Sequence, residues 1–540
     1  MSRQEKRVGR HGEFRGDFTR DTFNADNQYS RVFLQQGRVS IDADWNEFQA
    51  INAHYQRMFA TAVIGPHAAP WSCPNDFKLR LLDTNEYELH RGHYFVNGLL
   101  CVNDRKNIKG DLADLLDCES HDLKLGTYVF YLDVWESHIT YIDDGRIREQ
   151  ALGGADTATR AKINWKVCCK QIKEPINISS FLLFDGEGIP TGLKQNGFLK
   201  LIREDMKPGN GRMWARGKPA RKDSDLCSSD SGVGYRGKEN QLYRVEICCS
   251  DDEAITFKWS RENSSVIFPV RDIANDQITL EHLGRDICTC LKVNDWVEVI
   301  SADQNCYREE CVLYQVVNID EENYTVTLDH NVVGDFDDAY LAAAHLRRWD
   351  HSGGDEKGIS LAEAVGEWYE LEDGIEIRFL RSLSDRPADN ASEKDRLEER
   401  AGRDAMEDSD SDVIKPVREG REFTYQPGDY WLIPARSASN SIEWPTKGGK
   451  PKPLPAHGVV HHYAPLRLLH TEGDDASFDI DTRRVISQNW QSVPQGNSTP
   501  GLPSRGRSNT DSSPGGTTDT AATRKKRATK KTKKKAGKKR

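Results

Sequence analysis

The sequence has no run approaching the roughly 20 consecutive apolar residues that cross a bilayer as a helix, and residues 1–20 are charged where a signal peptide needs an apolar stretch. Neither a membrane span nor a Sec signal peptide is expected. The chain is expected to be made and folded in the cytosol, becoming extracellular or envelope-associated only by release with a particle. Also missing are the G-x-S-x-G elbow, the H-E-x-x-H helix and the G-x-x-x-x-G-K-[ST] loop, which removes three common routes to hydrolysis, zinc catalysis and nucleotide binding. Apolar residues are thin, at 37% of 540, yet 12 Trp, 17 Tyr and 18 Phe are too many aromatics for a wholly disordered chain. A core is present, diluted by polar segments.

Acids are absent from the C-terminus. Its 12 cations are Arg524, Lys525, Lys526, Arg527, Lys530, Lys531, Lys533, Lys534, Lys535, Lys538, Lys539 and Arg540. With those removed, a net charge of −10 becomes −22, so one molecule carries an acidic body and a cationic tail. Such a tail does not fold alone and creates a strong positive potential. Nucleic acid, an anionic envelope or an acidic protein surface would each suit it.

The 12 cysteines are scattered through a large chain, which fits a reduced environment better than a disulfide framework. Cys168-Cys169 and Cys248-Cys249 end strand-like runs, where successive side chains point to opposite faces, so neither pair can hold one ion from a regular strand. Cys288 and Cys290 with Cys306 and Cys311 would make a loosely spaced four-thiolate zinc set; buried structural thiols are the alternative.

Along the chain, Val32, Leu34, Val39 and Ile41 flank a turn at 35–38. Trp45, Phe48, Ile51, Tyr55, Met58, Phe59 and Ala62 then recur every three or four residues, predicting an amphipathic helix with Asp44 as N-cap, Glu47 completing a capping box and Gly65-Pro66 as its stop. Branched and aromatic runs between 79 and 328 predict strands. The expected fold is mainly β, of antiparallel sandwich- or barrel-like modules, with one N-terminal amphipathic helix and a disordered C-terminal tail. The expected divisions are a flexible basic leader (1–15), a first lobe of strand, helix and β structure (16–205), and a second β lobe (206–383) with a small barrel-like module at about 290–330. A charged disordered insertion (384–421), a β segment completing the body (422–486) and a disordered Ser/Pro/Gly then Lys-rich tail (487–540) follow.

Several stretches together resemble an uncharacterised bacterial family, a domain of unknown function. They are GDFTRDTF (16–23), YSRVFLQQGRV (29–39), DADWNE (42–47), GHYFVNGLLC (92–101), YLDVWE (131–136), ALGGADTATR (151–160), GYRG (234–237), NQLYRVE (240–246), FKWSREN (257–263), GDYWLIPAR (428–436) and HHYAP (461–465). Some members of the family lie near genes for phage-tail-like contractile injection systems, so the resemblance implies a part of a large tail-like or surface-binding assembly. It supplies no catalytic residue, cofactor or metal. Asp17, Arg20, Gln36, Gly37, Asp42, Asp44, Trp45, Asp133, Trp135, Gly153, Asp156, Trp259 and Trp431 lie in these motifs and are read as structural. The charged insertion and the Lys-rich tail depart from the family pattern.

The remaining candidates have plain structural readings. Asp42-x-Asp44-x-Asn46 starts like a calcium loop but has Glu47 and Ala53 where Gly and Glu belong, so it reads as a helix start. Asp143-Asp144-Gly145 reads as a turn, and His90, His93, His461 and His462 lack metal-ligand spacing. Gly153-Gly154 reads as a tight loop before an anion nest, and Ser229–Gly232 as a polar loop. Nine tryptophans from Trp135 to Trp444 read as core with satisfied indoles, sugar-stacking platforms being the alternative. The leading expectation is a non-enzymatic structural or attachment component with protein partners and a cationic tether. A hydrolase using Asp133, Glu136, Asp143 and Asp144, and a nucleic-acid-associated protein acting through the tail, are the alternatives.

Overall fold

The computed structural model describes residues 12–486 apart from 83–85, 105, 113–114, 116–125, 173–177, 185–189, 203–208, 220–233, 251–253, 285, 287, 301–310, 333–340, 342–343, 381–422 and 472–475. The chain divides into two units, Met1–Gln488 and Asn489–Arg540. The second unit, with the tail cations, lies outside the described residues, as do the insertion at 384–421, Ser229–Gly232 and Cys306.

The fold is mainly β. Its first sheet is built on the 14-residue strand Gly126–Ile139, paired antiparallel along its length with Arg160–Ile172 and with His462–Thr471. Residues 12–15 belong to this body, not to a leader: Gly12–Glu13 pair in parallel with Glu136 and Ser137. Cys168 and Cys169 sit on opposite faces of their strand, each packed against a different core. Strand alternation is equally plain in Leu99–Asn103, whose residues alternate buried and exposed.

A second pair of sheets forms a sandwich. One contains Gln241–Ser250 between Ile255–Ser260 and Tyr430–Arg436; the other contains Arg212–Gly217 beside Ile375–Phe379. Tyr243, Val245, Ile247, Phe257 and Trp431 from the first interlock with Met213, Ala215, Ile377 and Phe379 from the second. Six strands from Ile267–Ala274 to His345–Trp349 close a barrel around Phe268, Ile278, Val297, Tyr314, Val326 and Leu346. It is larger than the module expected at about 290–330, because Ile267–Ala274, Gln277–Leu280 and His345–Trp349 complete the ring.

Helix α1 (Asp42–Ile64) is present and stops at Gly65, whose left-handed backbone donates to the Thr61 carbonyl. Two details differ from expectation. The N-cap is Ile41 and lacks a side-chain cap; Asp44 lies inside the first turn. Asp42 accepts from the Thr19 backbone and hydroxyl (2.9 and 2.5 Å), while Glu47 accepts from the Thr22 hydroxyl (2.6 Å). Of the capping-box pair Asp44 and Glu47, only Glu47 reaches back, and it joins Asp42 in tying the helix to GDFTRDTF. The second difference is which face is buried, and it defines the candidate site.

Candidate functional site

On α1 the buried residues are Ala43 and Ile51. The helix is anchored by polar and close backbone contacts. Arg57 pairs with Glu136 at 2.5 Å, and the His54 ring packs against Phe23 at 5.7 Å. The Asn97-Gly98 turn approaches so tightly that a Cβ on Gly98 would lie 2.6 Å from the Arg57 carbonyl oxygen. Most of the predicted core stripe therefore faces outward: Trp45 is 56% exposed, Tyr55 47% and Phe59 71%, with Val63 beside them.

The preceding segment is exposed too. Arg38 N–H closes the expected turn onto the Gln35 carbonyl at 3.3 Å, with Gly37 at a left-handed φ of 74°. This is the only backbone hydrogen bond made within 29–40 among the described residues. Val32, Leu34, Val39 and Ile41 form no ladder; Phe33 is 76% and Val39 87% exposed, and Tyr29, Leu34 and Ile41 are also open. The result is an apolar arm with Gln36 and Gly37 at its tip. Five aromatics of about 200 Å² each, open on average by six-tenths, leave roughly 600 Å² exposed before the aliphatics are counted. Summed over arm and helix face, that equals the upper end of the area of the largest apolar patch on an ordinary monomer, about 300–600 Å².

GDFTRDTF holds the base of this element. Arg20 pairs with Glu443 at 2.9 Å, and Glu443 also accepts from Arg436, which donates to the Thr19 carbonyl at 3.0 Å. Asp17 is exposed. Further in, Arg15 enters a buried charged layer between the sandwich and the barrel. Along Gln241–Ser250, Tyr243, Val245 and Ile247 face the sandwich core, which turns Arg244 and Glu246 to the other side. Glu246 receives Arg15 at 3.1 Å and Arg244 at 2.6 Å, with Lys258 at 3.6 Å. Lys258 also pairs with Glu298 at 2.8 Å and lies 4.3 Å from the Trp349 ring centre. Burial alone would raise the Glu246 pKa, but Arg15, Arg244 and Lys258 outweigh it and hold the carboxyl below its ordinary value. Nothing in the sequence distinguished these charges from a solvated strand face.

The other candidates resolve into local structure. Asp133 accepts from His461 Nδ1 at 2.8 Å, and Trp135 is buried beside that imidazole. Asp143 accepts from the Thr140 backbone and hydroxyl, and Asp144 from Arg146. With Glu136 on Arg57, each of the four acids offered for hydrolysis is engaged by a neighbour. Gly153 and Gly154 donate their N–H groups to the Gln150 and Glu149 carbonyls, so the loop is not an anion nest; Asp156 is half-buried in it. Asp42, Asp44 and Asn46 lie in a helix, not a calcium loop. Trp259 and Trp431 are core, as are Trp135, Trp214, Trp296, Trp349 and Trp444. Trp165, Trp431 and Trp444 donate to backbone carbonyls at 2.9–3.2 Å.

The cysteines correct the sequence reading twice. Cys311 is not gathered with Cys288 and Cys290; it forms a disulfide with Cys248. The carbonyls of Cys288 and Cys290 instead accept from Arg348, both at 3.0 Å. An irregularity between Ile247 and Ser250 breaks the strand's alternation, so Cys249 joins the pair and three sulfurs lie within 4.8 Å of one another. No fourth His, Cys, Asp or Glu joins them among the described residues, so no closed four-ligand set of a structural zinc site is assembled among those residues.

A family model matches residues 14–173, 208–383 and 410–540. It passes over 384–409, the greater part of the charged insertion, but runs through the Lys-rich tail, which was expected to depart from the pattern. No curated protein and no solved structure matches the chain. The chain belongs to DUF6519, a family of unknown function.

Proposed function

We propose that the protein is a non-enzymatic structural or attachment subunit of a multi-subunit assembly, of a phage-tail-like or other envelope-associated kind. The observation that carries this reading is the arm and outward face of α1. A stretch from Tyr29 to Val63 keeps nine large apolar side chains in water, an unfavourable arrangement for an isolated chain and an ordinary one for a surface covered on assembly. Two of the family motifs lie within this segment. The buried charged layer and the Arg20–Glu443–Arg436 stitch supply a rigid base for the arm. The test is isolation of intact particles from the producing cell. The protein is expected among their stoichiometric components, and particles that reproducibly lack it would end the proposal.

The cationic tail supports a second, compatible reading, in which 12 cations tether the body to a polyanion such as nucleic acid or an anionic envelope. Binding of this kind is independent of sequence and weakens steeply with salt. Retention on DNA at low salt that is unchanged by deleting 524–540 would overturn it.

A further inference from the structure

We infer that the partner covering this surface is a second copy of the same chain, with the arm of each copy laid across the outward face of the other's α1. The inference rests on the assembly reading above and names its occupant. Both halves of a junction are present in one chain but do not cover each other: Phe33, Leu34 and Val39 stay open on the arm while Trp45, Tyr55 and Phe59 stay open on the helix. A two-fold exchange uses each half once per copy, which is the self-complementarity a closed dimer requires.

Charge matches the same pairing. The arm from Tyr29 to Ile41 carries Arg31 and Arg38 and no acid. Helix α1 carries Asp42, Asp44 and Glu47; Asp42 and Glu47 accept from the neutral hydroxyls of Thr19 and Thr22, but none of the three acids is in an ion pair among the described residues, whereas its one cation, Arg57, is neutralised on Glu136. A cationic arm therefore meets an anionic helix, while arm-to-arm or helix-to-helix contact would bring like charges together. Area is sufficient. The roughly 600 Å² of open aromatic surface and the aliphatics beside it approach the 800 Å² or so that each partner contributes to a standard stable interface. The arm's unpaired backbone groups reach water in one copy, and an extended segment of this kind is free to follow a partner's surface without breaking any ladder.

The test is the mass of the full chain by sedimentation or light scattering over a wide concentration range. The wild type is expected at twice the 61.2 kDa chain mass. An arm variant, Phe33→Asp with Val39→Asp, and a helix variant, Phe59→Asp, should each weaken self-association at least about tenfold. All three positions are exposed, so the monomer's circular dichroism should not change. An equimolar mixture of the two variants should regain part of the association, because the intact helix of one meets the intact arm of the other. Val39→Cys and Phe59→Cys on differently tagged copies should crosslink between tags. A wild type that stays monomeric, or a dimer that both variants leave intact, overturns the inference. If the wild type is monomeric but enters the isolated particle only with its arm unmutated, self-pairing is wrong and the assembly reading stands. If particle entry is also indifferent to these variants, both fail.

Discussion

Replacing Glu246 by Gln tests whether the charged layer at the centre of the body holds its parts together. Glu246 is 2% exposed and is shared by Arg15, Arg244 and Lys258. Gln keeps the volume and some hydrogen bonding but leaves three cations facing a neutral amide away from water. Breaking a buried ion pair from one side costs about 3–5 kcal/mol, because the partner's desolvation is no longer compensated. The matched control is Glu443→Gln, which removes the more exposed pairs to Arg20 and Arg436 and should cost no more than about 1 kcal/mol for each. Urea denaturation at neutral pH, followed by tryptophan fluorescence, reads both. The pH dependence gives a second, signed readout. With its carboxyl held below the ordinary value, Glu246 contributes stability that is present above about pH 4.3 and is lost as pH falls through its folded pKa. The variant should lack that share of the acid limb. If Glu246→Gln costs as little as Glu443→Gln, the layer is not an energetic junction and the reasoning fails.

Three histidines make a separate acid-side prediction. Burial, reinforced by nearby cations, lowers His67 and His462 to about 4 and His351 to about 3. The unfolded chain therefore binds their protons first, and each should remove about 1.4 kcal/mol of stability per pH unit as pH falls from 6.5 towards 4. His351 stacks on Trp296 at 5.5 Å, so His351→Phe should keep the packing and remove its share of about 1.4 kcal/mol per pH unit from that slope; an unchanged slope would count against the buried neutral assignment. The Cys248–Cys311 bond closes a separation of 63 residues, and its reduction should cost about 4 kcal/mol on chain entropy. Peptide mapping without reductant should find the linked pair; finding both as alkylated thiols would remove the bond. Ile51→Ala empties the main apolar anchor of α1 and should cost about 2–5 kcal/mol, detected as a lowered urea midpoint. A cost below 1 kcal/mol would mean that α1 is held by its polar contacts alone.

Much of this fold was legible from local pattern. The branched and aromatic runs between 79 and 328 became strands such as Gly126–Ile139, Arg160–Ile172, Gln241–Ser250 and Leu313–Asp320, because such residues bounded by turn formers suit a pleated, half-buried surface. Seven of the nine tryptophans read as core are buried, Trp165 and Trp368 being only half-buried, and Asp143-Asp144 is the turn its sequence suggests. Harder to read was whatever depended on which face a partner covers. Arg244, Glu246 and Lys258 alternate with apolar residues as a solvated strand face does, and only the barrel and Arg15 closing over them make that face interior. Cys248 and Cys311 are too far apart in sequence for pairing to be inferred, and the irregularity beside Ser250 defeats the strict alternation on which the cysteine reading relied.

Helix α1 shows where the division falls. Its period, length and Gly65-Pro66 stop are properties of the sequence alone, because they follow from backbone geometry and local sterics. Periodicity says that Trp45, Tyr55 and Phe59 share a face; it does not say that the face meets its own core. Tertiary structure decided that, by seating the helix through Ile51, Arg57 and the Gly98 turn and leaving the aromatic stripe in water. An amphipathic pattern records that a surface is to be buried, and the fold decides whether the chain does so itself or leaves it to another molecule.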